Sequence, residues 1–364
     1  MPWLMEYPWL PSHGRRLKIN TPLETVRPIR EGRAWRAVVA RSNTKVVLER
    51  QGWSVVEWIK KEVTASVPVM APEGVFPPEW AKAVFDSAGE PEPMDLHNAL
   101  KVTRNPLPDL NLAVLRRGIA GTEQARIAVV MVVSSWEDTE IEAVEMALDA
   151  CSRLGAGAHV VLVQNNPEFH AATKAWKPLG KHRARFRRAY SENKGFAAAC
   201  NLGAKKARDE IDWLLFTQSD CTWGALQVIE AVELSTALWG VEGEYPIVGP
   251  SGGTVDPSCP WTLTEVGRNI GEVENEVKPV DFVAGYWFLV RADYFDITNM
   301  DDGFPLFYED PDFCLRMAFV HGVRSIVWPS MKVSHERGST MARLGVKKSA
   351  IRDLSVRRFA ARWR

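Results

Sequence analysis

The sequence predicts an α/β domain built on a mostly parallel sheet, preceded by a small region of different texture. Short apolar runs recur at Ile127–Val133, His159–Val163 and Trp213–Thr217. Their length and unbroken hydrophobicity suit parallel strands covered on both faces. Segments of helical period lie between them, as a strand–helix–strand layer requires. Each run ends in polar residues, and open α/β sheets bind ligands beyond the carboxyl ends of their strands.

Residues 1–124 read as an accessory region of unknown role. Tryptophans are dense there (Trp3, Trp9, Trp35, Trp53, Trp58, Trp80), and prolines cluster between Pro68 and Pro93. Val46 to Val63 is expected to form strand–turn–helix structure and Trp80 to Phe85 a short helix, with a linker at Asn105-Pro106-Leu107-Pro108. The main domain spans 125–340. After the strand at Ile127, the residues Ile141, Val144, Leu148, Cys151 and Leu154 recur at helical spacing, and Gly155 is a stop signal. A strand follows at His159, then another near Arg185 to Tyr190, then a helix from Gly195 to Arg208. The strand at Trp213 leads into Gln218-Ser219-Asp220, and a helix covers Leu226 to Leu238. Val280 to Arg291 reads as a strand interrupted by Gly285, where a ligand or another backbone comes close. Residues 341–364 form a basic tail whose Ile351, Leu354, Phe359 and Trp363 make a partial apolar stripe. Packing on the domain is the preferred role for that helix, with peripheral membrane contact second.

Composition narrows the function classes. The 364 residues carry 45 Lys plus Arg and 45 Asp plus Glu, so net charge points to neither nucleic acid nor an anionic membrane. The 5 cysteines are scattered without a C-x-x-C pair, which argues for free thiols, a reducing compartment and no zinc ribbon. No apolar run approaches the ~20 residues that span a bilayer, and the start of the chain lacks signal-peptide character. A cytoplasmic protein is expected.

The richest chemistry lies in Phe307-Tyr308-Glu309-Asp310-Pro311-Asp312-Phe313, where carboxylates crowd against apolar side chains. Such crowding needs a cation, a helix start or a proton-transfer role to offset it. A helix start is one reading: Asp310 as N-cap, Pro311 in the first position, Asp312 in the first turn, and Gly322 as the end. A fixed base is the other, and the two are compatible, since a carboxylate at a helix N-terminus stays ionised. Asp220, at a strand end, and the later His335 are candidate ligands for a hard divalent ion, Mn2+ or Mg2+. Ser134, Trp136, Gln164, Asn165 and Ser219 cluster at the strand ends as a nucleotide-sized cleft. Tyr286 and Trp287 suit a sugar ring, whose C–H faces stack on aromatic rings; core packing is the alternative for Trp287.

Four segments in order resemble family 2 glycosyltransferases over about residues 126–340. Glu192-Asn193-Lys194-Gly195-Phe196 through Cys200-Asn201-Leu202-Gly203 is similar to the E-N-x-G-F-a-x-x-x-N-x-G segment of that family. Asp281 to Arg291 resembles its v-D-f-v-x-G strand, Gly303 to Arg316 its F-F-x-Y-E-D-x-D motif, and His335 its late histidine. A rhamnosyltransferase-like subgroup fits best. The resemblance implies a GT-A fold and transfer of a hexosyl group from a nucleoside diphosphate donor (UDP, dTDP or GDP) with inversion. The acceptor would be a hydroxyl on a glycan, a lipid-linked glycan, a protein or a modified nucleic acid. Asp310 would be the general base and Glu309 an acceptor-orienting carboxylate. Asp220 and His335 would hold the metal. Asn193, Gly195 and Asn201 would join the donor site, and Asp312 the acceptor side with Tyr286 and Trp287.

The chain departs from the family pattern at three places. It has Gln218-Ser219-Asp220 where relatives often have Asp-x-Asp, Gln164-Asn165 where many have Asp-Asn, and Ser134-Ser135-Trp136 where many have Thr-Tyr-Asn. Two other readings stand beside the transferase. One is a catalytically inactive relative that binds glycan or nucleic acid through basic segments such as Lys181 to Arg188. The other is a sugar nucleotidyltransferase, which generally wants a Gly-rich phosphate loop that Ser134-Ser135-Trp136-Glu137 does not provide.

Overall fold

The computed structural model describes strands within residues 3–58, and residues 77–107, 126–207, 210–242, 244–266, 276–336 and 348–364. The chain divides into two compact units, Met1–Val67 and Pro68–Arg364. In the first, β1 (Trp3–Tyr7), β2 (Ile19–Asn20), β3 (Thr25–Val26), β4 (Ile29–Glu31), β5 (Ala34–Val39) and β6 (Ser54–Trp58) are all antiparallel. Four of them form a sheet in the order β4-β5-β1-β6, and β2 pairs with β3. The strand expected within Val46 to Val63 is β6; the helix expected after it lies outside the described residues.

The second unit opens with α1 (Glu79–Ser87), the short helix expected around Trp80, and α2 (Leu96–Thr103). The unit boundary therefore falls at Val67, well before the expected residue 124. Its physical reason is α2, which is N-capped by Asp95 and buries Leu96, Ala99 and Leu100 in the core of the larger unit. Beside it Thr103 Oγ1 donates to Asp281 at 2.7 Å, and Arg104 bridges the same carboxylate at 2.6 Å. Asp281 has no exposed surface, and such a buried charge is stable only when paired in this way.

Chain order then gives β7 (Ile127–Val133), α3 (Asp138–Arg153), β8 (His159–Gln164), α4 (His170–Ala175), β9 (Phe186–Tyr190), α5 (Gly195–Lys206) and β10 (Trp213–Gln218). It continues with β11 (Cys221–Thr222), α6 (Ala225–Glu242), β12 (Ile247–Gly249), β13 (Gly252–Asp256), β14 (Cys259–Val266), β15 (Lys278–Val280), β16 (Phe282–Val283) and β17 (Trp287–Arg291). The last elements are α7 (Ala292–Ile297), α8 (Glu309–His321), β18 (Ser325–Val327), β19 (Ser334–His335) and α9 (Lys348–Arg362).

An eight-stranded sheet in the order β15-β18-β12-β17-β10-β7-β8-β9 forms the centre. Strands β10, β7, β8 and β9 are parallel, as are β12 and β18, while β17 runs antiparallel to both its neighbours. This is a mixed α/β fold with a mostly parallel sheet flanked by helices. Residues of β7 alternate between two cores: Ala128, Val130 and Val132 face one, Ile127, Val129, Met131 and Val133 the other. A two-residue period with both faces covered is why the run is apolar without interruption. α3 starts on a reciprocal capping box between Glu137 and Glu140.

Two sequence expectations shift. The strand predicted over Val280 to Arg291 is divided among three, because the chain leaves the large sheet after β15, joins the small β14-β13-β16 sheet through β16, and returns across Ala284–Tyr286 to the large one at β17. The helix expected to be capped by Asp310 starts at Glu309, so Asp310 lies in its first turn and Tyr308 stands at the cap with φ 64°. Its end at Gly322 is as expected, with φ 70°. Phe216, Phe288, Phe295 and Phe313 fix α8 against the sheet through ring centroids 4.8–5.9 Å apart. Each such pair adds about 0.5–1.5 kcal/mol beyond area burial.

Candidate active site

The antiparallel β11–β19 bridge pairs Cys221 directly with His335 and so carries His335 to the end of β10. His335 Nε2 stands 3.5 Å from Asp220 Oδ1, longer than a good hydrogen bond. Both ring nitrogens of His335 are shut off from solvent and make no hydrogen bond. The side chains of Asp220 and His335 are only 7% and 15% exposed. One donor atom from each of Asp220, Cys221 and His335 falls within 4.8 Å of the others. Orphaned imidazole nitrogens facing a carboxylate are a fitting donor set for a divalent cation. Cys221 is the member that sequence reasoning missed; its position after Asp220 was the available signal. Its Sγ donates to Tyr286 O at 3.3 Å, and burial, with the charge of Asp220 second, pushes its thiol well up.

The second half of the site hangs on the residues Gly285 and Tyr286. The Gly285 N–H donates to Asp310 Oδ2 at 2.8 Å. A Cβ at Gly285 would lie 3.3 Å from Asp310 Cβ, so glycine lets the backbone come close enough to hold the carboxylate. The next ring, Tyr286, stacks on His335 at 4.2 Å and 18°, and its hydroxyl bonds Ser251 at 2.8 Å. Its carbonyl accepts from Gln218 N at 3.2 Å. Consecutive Cα atoms are about 3.8 Å apart, so Asp310 and the Asp220–His335 pair attach to neighbouring residues of one turn.

Glu309 is buried, and its Oε2 makes no hydrogen bond. Burial, with the negative charge of Asp310 second, pushes its carboxyl well above the ordinary value of 4.5. The pair therefore favours a protonated Glu309 beside an ionised Asp310. The linkage sign follows. Below about pH 4.5 both folded and unfolded Glu309 are protonated. Above it the unfolded state ionises while the folded carboxyl keeps its proton, so this group lowers stability as pH rises towards its folded pKa. Glu309→Gln should match the wild type in melting temperature near pH 4 and exceed it at pH 7. Equal pH profiles for the two proteins would refute a buried, proton-retaining Glu309.

Phe307 and Tyr308 are consecutive residues with φ 69° and 64°. Non-glycine residues held there cost of order 1–3 kcal/mol each, and they immediately precede the carboxylate pair. Gly195, with φ 87°, meets the same loop: a Cβ there would lie 2.6 Å from Pro305 O. Only glycine lets that helix start approach the loop.

Several predicted site residues have other roles. Asp312 is fully buried and accepts from Arg316 at 2.8 Å, Arg362 at 2.9 Å and Trp363 Nε1 at 3.1 Å, which makes it a packing anchor and removes it from any acceptor contact. Trp287 has no exposed surface and lies in the core, so the packing alternative holds. Gln164 is fully buried and donates to Ser135 O at 3.2 Å and Thr173 Oγ1 at 3.0 Å. Asn165 is buried and donates to Gly195 O at 3.3 Å. Both amides tie strand-end loops together, and Asn165 Oδ1 makes no hydrogen bond. Asn201 clamps Met300 through its amide N–H at 2.8 Å and its Oδ1 at 3.0 Å, and also bonds Asp302. Ser134, Trp136, Asn193, Ser219 and Tyr286 remain half-exposed.

A cavity of about 480 Å³ lined by Tyr190, Glu192, Lys194, Asn201 and Asp302 does not touch Asp220, Asp310 or His335. The basic segment is largely committed internally. Arg185 donates to the carbonyls of Cys151, Gly155 and Ala158, and Arg188 donates to Trp176 O with its guanidinium 4.6 Å from the Phe186 ring. The tail stripe is likewise a packing face, with Ile351, Phe359 and Trp363 buried. Among the described residues no helix is long and apolar enough to cross a membrane.

No family model and no curated protein matches the chain. Solved structures with a similar course include GalNAc-T7 with UDP, GalNAc and Mn2+, at 15% identity and TM-score 0.44 over 73% of this chain and 54% of that one. The mannosyltransferase PcManGT from Pyrobaculum calidifontis, in complex with GDP-Man and Mn2+, is 12% identical with TM-score 0.41 over 77% and 80% of the two chains. S. aureus TarS 1-349 in complex with UDP is 12% identical with TM-score 0.34 over 55% and 57%. The chain thus spans about half the length of the GalNAc-T7 structure.

Proposed function

We propose that this chain is a GT-A glycosyltransferase that moves a sugar from a nucleoside diphosphate donor to an acceptor hydroxyl with inversion. The observation that supports it is the turn at Gly285–Tyr286, to which both Asp310 and His335 are attached. A base and a cation-binding pair on one turn suit a displacement in which charge develops on the leaving group while the acceptor loses its proton. In this reading Asp220 and His335, with Cys221 behind them, hold Mn2+ or Mg2+. When bound, the ion supplies neutralisation of the leaving diphosphate.

The chain's own residues do the rest. Asp310 accepts the acceptor's hydroxyl proton, oriented by the Gly285 N–H on its other oxygen. Glu309, protonated, leaves the negative charge on Asp310 and so keeps that carboxylate free to take a proton. Tyr286 holds the His335 ring in plane through stacking and the bond to Ser251. Inversion by direct displacement needs no enzyme nucleophile, in keeping with a buried Cys221 thiol.

Screening UDP, GDP and dTDP sugars for donor hydrolysis with Mn2+ or Mg2+ tests the reading. Turnover should appear with at least one donor, vanish with chelator and return on adding either ion. Turnover indifferent to chelator would remove Asp220 and His335 from this role, and silence with every donor would sink the transferase itself.

A further inference from the structure

The strained turn before Glu309 and Asp310 is gripped from one side by the C-terminal helix α9. Ser355, fully buried, donates to Leu306 O at 2.6 Å. Arg352 reaches the Tyr308 hydroxyl at 3.4 Å, and Phe359 packs on the Tyr308 ring at 5.3 Å. Arg358 forms a two-pronged bond to Asp301 at 2.8 Å on each arm and lies 5.7 Å from the Phe304 ring. Arg362 bridges Asp301 at 2.6 Å and Asp312 at 2.9 Å.

These contacts fall on both flanks of the carboxylate pair, at Leu306 and Tyr308 before it and at Asp312 after it. Residues 352, 355, 359 and 362 follow helical spacing, so a single face of α9 makes them. Two consecutive left-handed residues persist only where the surroundings over-determine them, and here α9 supplies much of that constraint. The basic character of the tail has the same origin: Arg358 and Arg362 answer the partly buried Asp301 and the fully buried Asp312.

We infer that α9 is a latch that holds the 304–310 turn in its left-handed form, with Ser355 and Arg352 as positioning residues for Asp310. The inference rests on Asp310 being the base, and its test separates the two. In the full chain, Ser355→Ala should speed amide exchange across 304–310 at least ~10-fold while amides of β7 and β10 keep their protection. It should lower kcat by about ten- to a hundred-fold with the KM for donor unchanged, as misplacement of a reacting group does.

Phe307→Asn added to Ser355→Ala should recover part of that kcat, because Asn tolerates positive φ better than Phe. Arg352→Gln, at an exposed position, gives the same readouts if Ser355→Ala does not fold. Wild-type exchange rates in the 304–310 amides would overturn the latch whatever the activity. Faster exchange with unchanged kcat would overturn positioning. A wild type that transfers no sugar would sink the transferase reading, while the exchange result would still decide the latch.

Discussion

Asp310→Asn is expected to lower sugar transfer by about 10²–10⁴-fold, the usual contribution of a positioned general base. The substitution keeps shape and can still accept from the Gly285 N–H, which now holds Asp310 Oδ2 at 2.8 Å. It removes the one property the mechanism needs there, the capacity to take a proton. Binding of a nucleoside diphosphate with Mn2+ should persist, because Asp220 and His335 are untouched. The melting temperature at pH 7 should rise slightly, since the charge removed is one of the two causes, after burial, that push the Glu309 carboxyl up. The checking measurement is kcat beside calorimetric titration of UDP or GDP. Full turnover in the variant would take Asp310 out of the chemistry, and lost nucleotide binding would reassign it to the donor site.

Asp312→Asn, two residues on, is expected to act in the opposite way: a loss of about 3–5 kcal/mol of stability, as when one partner of a buried ion pair is removed. Asp312 has no exposed surface and is the shared acceptor for Arg316, Arg362 and Trp363. Without its charge the Arg316 guanidinium, only 10% exposed, keeps the carbonyl of Asn299 but loses its carboxylate. Arg362 keeps Asp301 alone. Urea unfolding should show a lower midpoint at unchanged slope, and whatever protein remains folded should still bind nucleotide. An Asp312→Asn protein with wild-type stability and no transfer would exchange the roles given to these two aspartates.

That contrast indicates what could be read in the residues. Asp310 and Asp312 share a residue type, a helix and an acidic cluster, and nothing local separates the proposed base from the packing anchor. The difference comes from partners far along the chain: Gly285 for one, Arg362 and Trp363 for the other. Gln164 and Asn165 stand for the same problem. A polar residue at a strand end looks like a ligand contact, yet buried loop carbonyls need donors as much as a ligand does. Trp287 was ambiguous for the converse reason, since an aromatic ring serves a sugar or a core equally well. Cys221 has only its place after Asp220 to mark it, since a lone cysteine carries no ligand spacing. Its relevance is created by the β11–β19 bridge.

The strands follow from local chemistry, because a parallel strand covered on both faces must be apolar on both, and Ile127–Val133, His159–Gln164 and Trp213–Gln218 are short apolar runs of strand length. The helix stop at Gly322 and the gathering of polar residues at the strand ends are likewise consequences of local backbone chemistry. Contacts across the fold are what separate Asp310, held by the Gly285 N–H, from Asp312, held by Arg316 and Arg362, place α2 in the larger unit, and pair the basic tail with Asp301 and Asp312. Those outcomes depend on which groups meet across the fold, and the energy of a buried charge is set by its neighbours in space, which chain order does not encode locally.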